Sequence, residues 1–208
     1  MKYVLSAKCT RCGAEYEALP TITTCKCGGI LDIQYNYSAI RDRFSPAGLE
    51  QNHDWSMWRY RPFLPVEEDS PAPPLRVGWS PLYKADRLSK VLGLRTLYIK
   101  DDGQNPTASL KDRASAMAVV KAREAGADTI ACSSTGNAAS SLAGNAAAAG
   151  LATYIFVPSR APKGKVAQLM IFGATVISVD GSYEDTFALS KAAIDRWGWY
   201  NRNAAINP

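Results

Sequence analysis

The chain has 208 residues, 47% hydrophobic and 21% charged, a balance that fits a soluble globular protein and excludes a disordered or fibrous one. Residues 1–77 carry nine basic and nine acidic side chains, so the net charge of +5 sits in residues 78–208, and no basic run with interleaved aromatics argues for nucleic acid. No apolar run approaches a membrane span and Met1-Lys2-Tyr3-Val4-Leu5 opens no signal peptide, so a cytoplasmic address without a membrane partner is expected.

The first expected unit is a small module at residues 1–35. Here Cys9-x-x-Cys12 and Cys25-x-Cys27-Gly28-Gly29 bracket a short hairpin-like stretch. Four soft ligands within nineteen residues of a cytoplasmic protein favour tetrahedral zinc over disulfides. The second pair is one residue tighter than the usual knuckle, and unligated cysteines packed as small hydrophobes are the alternative. Four cysteines would leave zinc no open coordination position, so such a metal would be structural.

Residues 36–77 are expected to be an arm or linker. They carry Trp55, Trp58, Tyr60 and Phe63, then the stretch Glu67-Glu68-Asp69-Ser70-Pro71-Ala72-Pro73-Pro74, whose prolines forbid helix or central strand. His53, the only histidine, lies here between Asn52 and Asp54, where a solvated surface position is expected, and it receives no role.

From residue 95 short β-branched runs alternate with helical patterns. Thr96–Lys100, Thr129–Cys132, Ala152–Val157 and Ala174–Val179 read as buried strands; residues 110–125, 137–149, 163–172 and 183–197 read as helices. This repetition predicts an α/β fold, a parallel sheet covered by helices on both faces, with sites at the carboxyl ends of the strands. Cys132, which ends the second run, is expected to be a buried space-filler, because no histidine is available to activate it.

Two loops after these strands carry chemistry. Asn105-Pro106-Thr107-Ala108-Ser109-Leu110-Lys111-Asp112-Arg113 places a lysine in a first helical turn, with Pro106 and Ser109 fitting a rigid turn and cap. Close to the helix N–H groups and the positive dipole end, the neutral amine of Lys111 is favoured over the ammonium, and a neutral amine is a nucleophile that forms Schiff bases. The alternative is a surface lysine beside Asp112 and Arg113. Ser133-Ser134-Thr135-Gly136-Asn137 is a small-residue turn into a helix, where backbone can approach a ligand closely and N–H groups suit a carboxylate or phosphate. A capped helix start without a ligand is the alternative there.

In their residues and order these motifs resemble the fold-type-II pyridoxal-phosphate-dependent enzymes, and in detail the N-terminal part of the threonine synthase family. Gly78-Trp79-Ser80-Pro81-Leu82-Tyr83, Leu97-Tyr98-Ile99-Lys100-Asp101-Asp102-Gly103, Phe172-Gly173-Ala174-Thr175-Val176 and Tyr200-Asn201-Arg202-Asn203 resemble further landmarks of that family, so the likeness runs along nearly the whole chain. The family usually writes G-S-F-K-D-R-G where this chain has Ala108-Ser109-Leu110-Lys111-Asp112-Arg113-Ala114, and Val77 replaces an acidic residue.

The resemblance implies a tryptophan synthase β-like architecture behind a zinc-ribbon-like module, with residues 78–208 as the N-terminal portion of the catalytic domains. It implies pyridoxal 5'-phosphate joined to Lys111 as a Schiff base, Asn137 hydrogen-bonded to the phenolate oxygen of the cofactor, and Ser134, Thr135 and Gly136 on the substrate. The implied reaction is that of a carbon–oxygen lyase acting on phosphates: a small phosphorylated amino acid, O-phospho-L-homoserine, and water give L-threonine and phosphate. In the family the cofactor's phosphate loop and the contact to its pyridine nitrogen lie further along, so full activity is not expected of this portion alone. Two alternatives stand beside it. A paralogue acting on phosphoserine, serine or diaminopropionate would share every motif, and a zinc-ribbon interaction module would keep the fold without catalysis. A homo-oligomer is compatible with all three.

Overall fold

The computed structural model describes residues 1–204 and 206–207. At the N-terminus β1 (Val4–Cys9), β2 (Glu15–Tyr16) and β3 (Leu31–Tyr35) form an antiparallel sheet in the order β2-β1-β3. Ala7, Cys9, Cys25 and Leu31 fill its small core.

In residues 36–77 the chain makes two short helices, α1 (Tyr37–Arg41) and α2 (Pro46–Glu50), and a 3-10 turn at Met57–Phe63. Pro46 opens α2 under the Ser45 cap, a place where its missing N–H costs nothing. The proline-rich stretch 67–74 has neither helix nor strand, as its composition requires. Met57, Trp58, Val66 and Val77 are buried against Ala116 and Val120, so the segment packs firmly on the helix that follows the lysine loop.

A separate two-stranded ribbon comes next: β4 (Leu82–Lys84) pairs antiparallel with β5 (Tyr98–Lys100), with α3 (Asp86–Val91) between them. This corrects one expectation. The run Thr96–Lys100 is not a buried strand of the parallel sheet; residues 98–100 are exposed and pair only with β4. A three-residue apolar run does not reveal its partner, and here the nearest strand in sequence captured it.

The main body follows as α4 (Lys111–Glu124), β6 (Thr129–Ser133), α5 (Asn137–Ala148), β7 (Ala152–Pro158), α6 (Lys163–Ile171), β8 (Thr175–Val179), α7 (Tyr183–Trp197) and β9 (Tyr200–Asn201). Its sheet is wholly parallel, in the order β8-β7-β6-β9. Ile130, Cys132, Ile155 and Val157 alternate onto one face and pack with Val119 of α4, Leu142, Ala143 and Ala146 of α5, and Leu169 of α6. The opposite face is covered by α7, whose Thr186, Ser190, Ala193 and Ile194 are buried and which packs on β6 and β7. A Ser182–Asp185 capping box starts α7, and Gly198, at φ 67, ends it.

Two crossovers carry the chain outward from β6 to β7 to β8 with α5 and α6 on one face; α7 then returns it on the other face to β9. The direction of winding therefore reverses between β6 and β9. In open parallel sheets that reversal opens a crevice beyond the carboxyl ends of the two strands. Helices α4 and α5 lie close together because α5 is built of small residues; a Cβ on Gly144 would stand 2.6 Å from Thr107 Cγ2. No described helix is long and apolar enough to cross a membrane.

Candidate active site

The loop from β5 to α4 is fixed by one carboxylate at each end. Asp102 receives a bidentate Arg113 guanidinium, Nη2 to Oδ1 at 2.9 Å and Nε to Oδ2 at 3.1 Å, and the Ser80 hydroxyl. Arg113 first, and Ser80 second, hold the Asp102 carboxyl down at about 2. Buried Asn105 joins the loop to the 78–80 segment: its Oδ1 accepts from Gly78 N at 2.9 Å and its Nδ2 donates to Asp102 O at 2.8 Å. At Gly78, φ 84, a Cβ would lie 2.9 Å from Met57 N, so only glycine lets these strands of backbone meet.

At the other end Asp112 is wholly buried. Its carboxylate accepts from Thr107 N (2.8 Å), Thr107 Oγ1 (2.7 Å), Ser141 Oγ (2.8 Å) and Asn145 Nδ2 (2.9 Å). It thus ties the lysine loop to the start of its own helix and both to the second and third turns of α5. Lys111 is the first residue of α4, exposed, with its N–H donating to Ser109 Oγ at 3.1 Å. Ser109 accordingly serves the helix start as its sequence suggested, although the position immediately before Lys111 is Leu110.

Ala108, one turn ahead of Lys111, is held at φ 57. A side-chain-bearing residue in this left-handed region is strained by roughly 1–2 kcal/mol, and glycine is not. Ala108→Gly should therefore raise stability by about 0.5–1 kcal/mol, the relief less the extra entropy that glycine gives the unfolded chain. A urea-unfolding midpoint that moves down instead of up would show that the strain is absent.

The second loop stands at the crevice between β6 and β9. Ser133 ends β6, and its N–H donates to Oδ1 of buried Asn203, just past β9, at 2.7 Å. Ser134 N donates to Phe156 O of β7, and Gly136 N to Ser134 Oγ. Among the described residues no side chain caps α5 at Gly136, no atom beyond its chain neighbours lies within 4 Å of where a Gly136 Cβ would be, and the buried Ser133 Oγ lacks a partner. Open space over a glycine, an uncapped helix start and an orphaned hydroxyl fit a bound ligand better than a self-satisfied turn. Asn137, exposed at the first position of α5, accepts from Lys165 Nζ at 2.9 Å.

The structure thus brings Lys111 and Ser134 to Asn137 onto two helices clamped through Asp112. The premise that both loops follow strands of one parallel set does not hold, since β5 lies outside that sheet; side-chain hydrogen bonding between α4 and α5 does the joining. Asp112, Lys165 and Asn203 are among the residues of this region that were not read from sequence as part of the site. For Lys165 a signal existed, because Lys163-Gly164-Lys165 follows β7 at the same end of the sheet as the 134–136 loop. A cavity of about 350 Å³ elsewhere, lined by Ile22, Ile33, Leu64, Met117, Tyr200 and Arg202 among others, includes neither Lys111 nor residues 134–137.

The cysteines converge. The Sγ atoms of Cys9, Cys12, Cys25 and Cys27 all lie within 4.8 Å of one another. Arg11 N and Cys27 N point at Cys9 and Cys25 sulfur at 3.4 and 3.5 Å, and a Cβ on Gly29 would sit 2.7 Å from Cys9 Sγ. The Tyr16 hydroxyl, then the Cys27 N–H, hold the Cys25 thiol down at about 6. Cys132 is fully buried and burial pushes its thiol up to about 12, consistent with a space-filling role. His53 is exposed, edge-on to Trp55.

An open parallel α/β sheet with a lysine at one clamped helix start and a glycine-asparagine turn at the next defines a class. The pyridoxal-phosphate dependent enzyme family matches residues 74–208, and the chain belongs to that family. Within it the likeness is to threonine synthases: the chain is 40% identical over 202 residues to that of Methanocaldococcus jannaschii and 41% identical over 203 residues to that of Methanosarcina acetivorans, in each case 97% of this chain and 49% of the relative. The chain therefore spans about half the length of these curated relatives. Among solved structures, maize serine racemase superposes with a TM-score of 0.55 at 23% identity over 62% of this chain and 38% of that one, a likeness of fold. An Escherichia coli diaminopropionate ammonia lyase gives the same TM-score at 19% identity over 77% of this chain and 41% of that one.

Proposed function

We propose that the protein containing this chain is a threonine synthase, converting O-phospho-L-homoserine and water to L-threonine and phosphate with pyridoxal 5'-phosphate joined to Lys111. The observation that carries the proposal is the Asp112 clamp, which holds the lysine loop against α5 and so sets the two signature loops on one rigid pair of helices. The exposed Lys111 fits the cofactor, and the open, uncapped turn at Gly136 fits the substrate.

When bound, the cofactor supplies the electron sink that lets a proton leave an amino-acid α-carbon. The chain's own residues do the rest. Lys111 Nζ is the point of covalent attachment and, once released, the base that takes that proton and returns protons to the substrate carbons. The N–H groups at the start of α5, with Ser134 and Thr135, bind and orient the substrate carboxylate. Asn137 Nδ2 would donate to the cofactor's phenolate oxygen. Arg113, Asp102 and Asp112 keep the lysine loop in the shape that aims Nζ at the substrate. A cytoplasmic enzyme is the expected setting.

The test is product analysis with the natural protein and its cofactor, offering O-phospho-L-homoserine, O-phosphoserine, serine and diaminopropionate in turn. Threonine and phosphate in equal amounts from the first substrate support the proposal; turnover of only the others rejects it in favour of a paralogous lyase.

We also propose that Cys9, Cys12, Cys25 and Cys27 hold a structural zinc ion, because four sulfurs already gathered around one point match a closed tetrahedral site. Metal analysis is expected to find about one zinc per chain, and a chelator to remove it with loss of amide protection in residues 1–35 while α4 to α7 stay protected. Protein that folds fully protected in residues 1–35 without metal would count against the site.

A further inference from the structure

We propose that Lys165 is a positioning residue for the cofactor: by seizing the carbonyl oxygen of the Asn137 side chain, it turns that amide so that its NH2 group is presented to the cofactor's phenolate oxygen. This rests on the reading of Asn137 as a cofactor contact and deepens it.

An asparagine amide offers an acceptor on one side and a donor on the other, and nothing in the side chain itself decides which way round it stands. A phenolate oxygen only accepts, so a cofactor at this site needs the donor side. Lys165 lies in the first turn of α6, half-buried, and its Nζ stands 2.9 Å from Asn137 Oδ1. An ammonium has three donors and no acceptor, so this contact is possible only with Oδ1 facing Lys165. The amide orientation then follows from chemistry and not from the placement of two similar atoms. Gln168 Oε1, one turn along α6, also lies 3.5 Å from the ammonium.

The arrangement also has an electrostatic sense. A positive charge on the carbonyl end of an amide polarises it and strengthens the N–H donor at the far end. Lys165 thereby acts on the cofactor through Asn137 without touching it. Exposure of Asn137 sharpens the need, because a solvated amide would otherwise sample both orientations and several rotamers.

The experiment is a double-mutant cycle in the natural protein, read by cofactor affinity, by the visible absorption of the bound cofactor, and by kcat and KM separately. Lys165→Met is expected to weaken cofactor binding by about three- to tenfold, the scale of one modest hydrogen bond, and to shift the visible band in the same direction as Asn137→Ala. Substrate KM should change less than the cofactor affinity, and Lys165→Arg should restore both affinity and band. In the Asn137→Ala background, adding Lys165→Met should change nothing further. Lys165→Ala serves as a second variant should Lys165→Met misfold, and melting temperatures report on folding in every case. Unchanged affinity and spectrum in the Lys165 variants, alongside a clear Asn137→Ala effect, overturn the proposal. Fully additive effects of the two substitutions overturn it as well. If instead Asn137→Ala itself leaves affinity and spectrum unaltered, the reading of Asn137 has failed, and the role of Lys165 falls with it.

Discussion

Lys111→Ala is expected to reduce threonine formation from O-phospho-L-homoserine by at least about a thousandfold. Removing a general base alone typically costs a hundred- to ten-thousandfold, and here the same amine would also anchor the cofactor. The loss should fall on kcat, because the loop at Ser134 to Gly136 and the Asn137 side chain remain to bind ligands. For that reason cofactor binding is the wrong criterion, and turnover, measured as phosphate release and threonine yield, is the right one. Lys90→Ala, at an exposed position of α3 outside both loops, should behave as the parent protein. Borohydride reduction of the loaded protein followed by peptide mass analysis should find the label on the peptide that contains Lys111. Near-normal turnover by the Lys111→Ala protein, or a label on another lysine, would remove the assignment.

Asp112→Ala should be the most damaging substitution outside the reacting groups. Four donors converge on that carboxylate, and it is wholly inaccessible to water. Its removal strands a backbone N–H, two hydroxyls and an amide in the interior, at about 1–3 kcal/mol for each group that finds no other partner. Allowing for local rearrangement, a loss of about 4 kcal/mol is expected, which for a chain of this size corresponds to a melting temperature lower by roughly 10 °C. Asp112→Asn should cost less, since one oxygen still accepts, but its NH2 must then face a cluster of donors. Thermal unfolding of the three proteins tests the ranking, and an Asp112→Ala protein as stable as the parent would show that the clamp does not hold α4 on α5.

The main sheet was legible because its strands and helices are long and strongly patterned. The expected helix at 183–197 coincides with α7, and those at 110–125, 137–149 and 163–172 end within a residue of α4, α5 and α6. What escaped were the short pieces. Strand β9 has two residues, too few for any periodicity, yet it completes the crevice at which the 134–136 loop stands. Strand β5 was misread because Leu97, Tyr98 and Ile99 give an exposed ribbon strand the look of a buried one, and β4 was not read as a strand at all. The site divides in the same manner. Lys111 and Asn137 could be proposed because they sit in strings of restrictive residue types, whereas Asp112 looked like an ordinary neighbour of a lysine and an arginine. Its importance depends on Ser141 and Asn145, some thirty residues later, and no local spacing announces that partnership.

Helix α5 turns out to be less a carrier of chemistry than a shim. Its buried face is almost all alanine and serine, and the absent side chain of Gly144 is where Thr107 rests. The distance between the Lys111 and Asn137 loops is thus set by how little volume this helix has. Apart from Ser141 and Asn145, which hold Asp112, drift along α5 should be more tolerant of exchange between small residues than of added bulk. One added methyl at position 144 would drive the loop bearing Lys111 outward and misalign a lysine that it never touches. In a lineage of such proteins, this helix would keep its thinness long after its individual letters had changed.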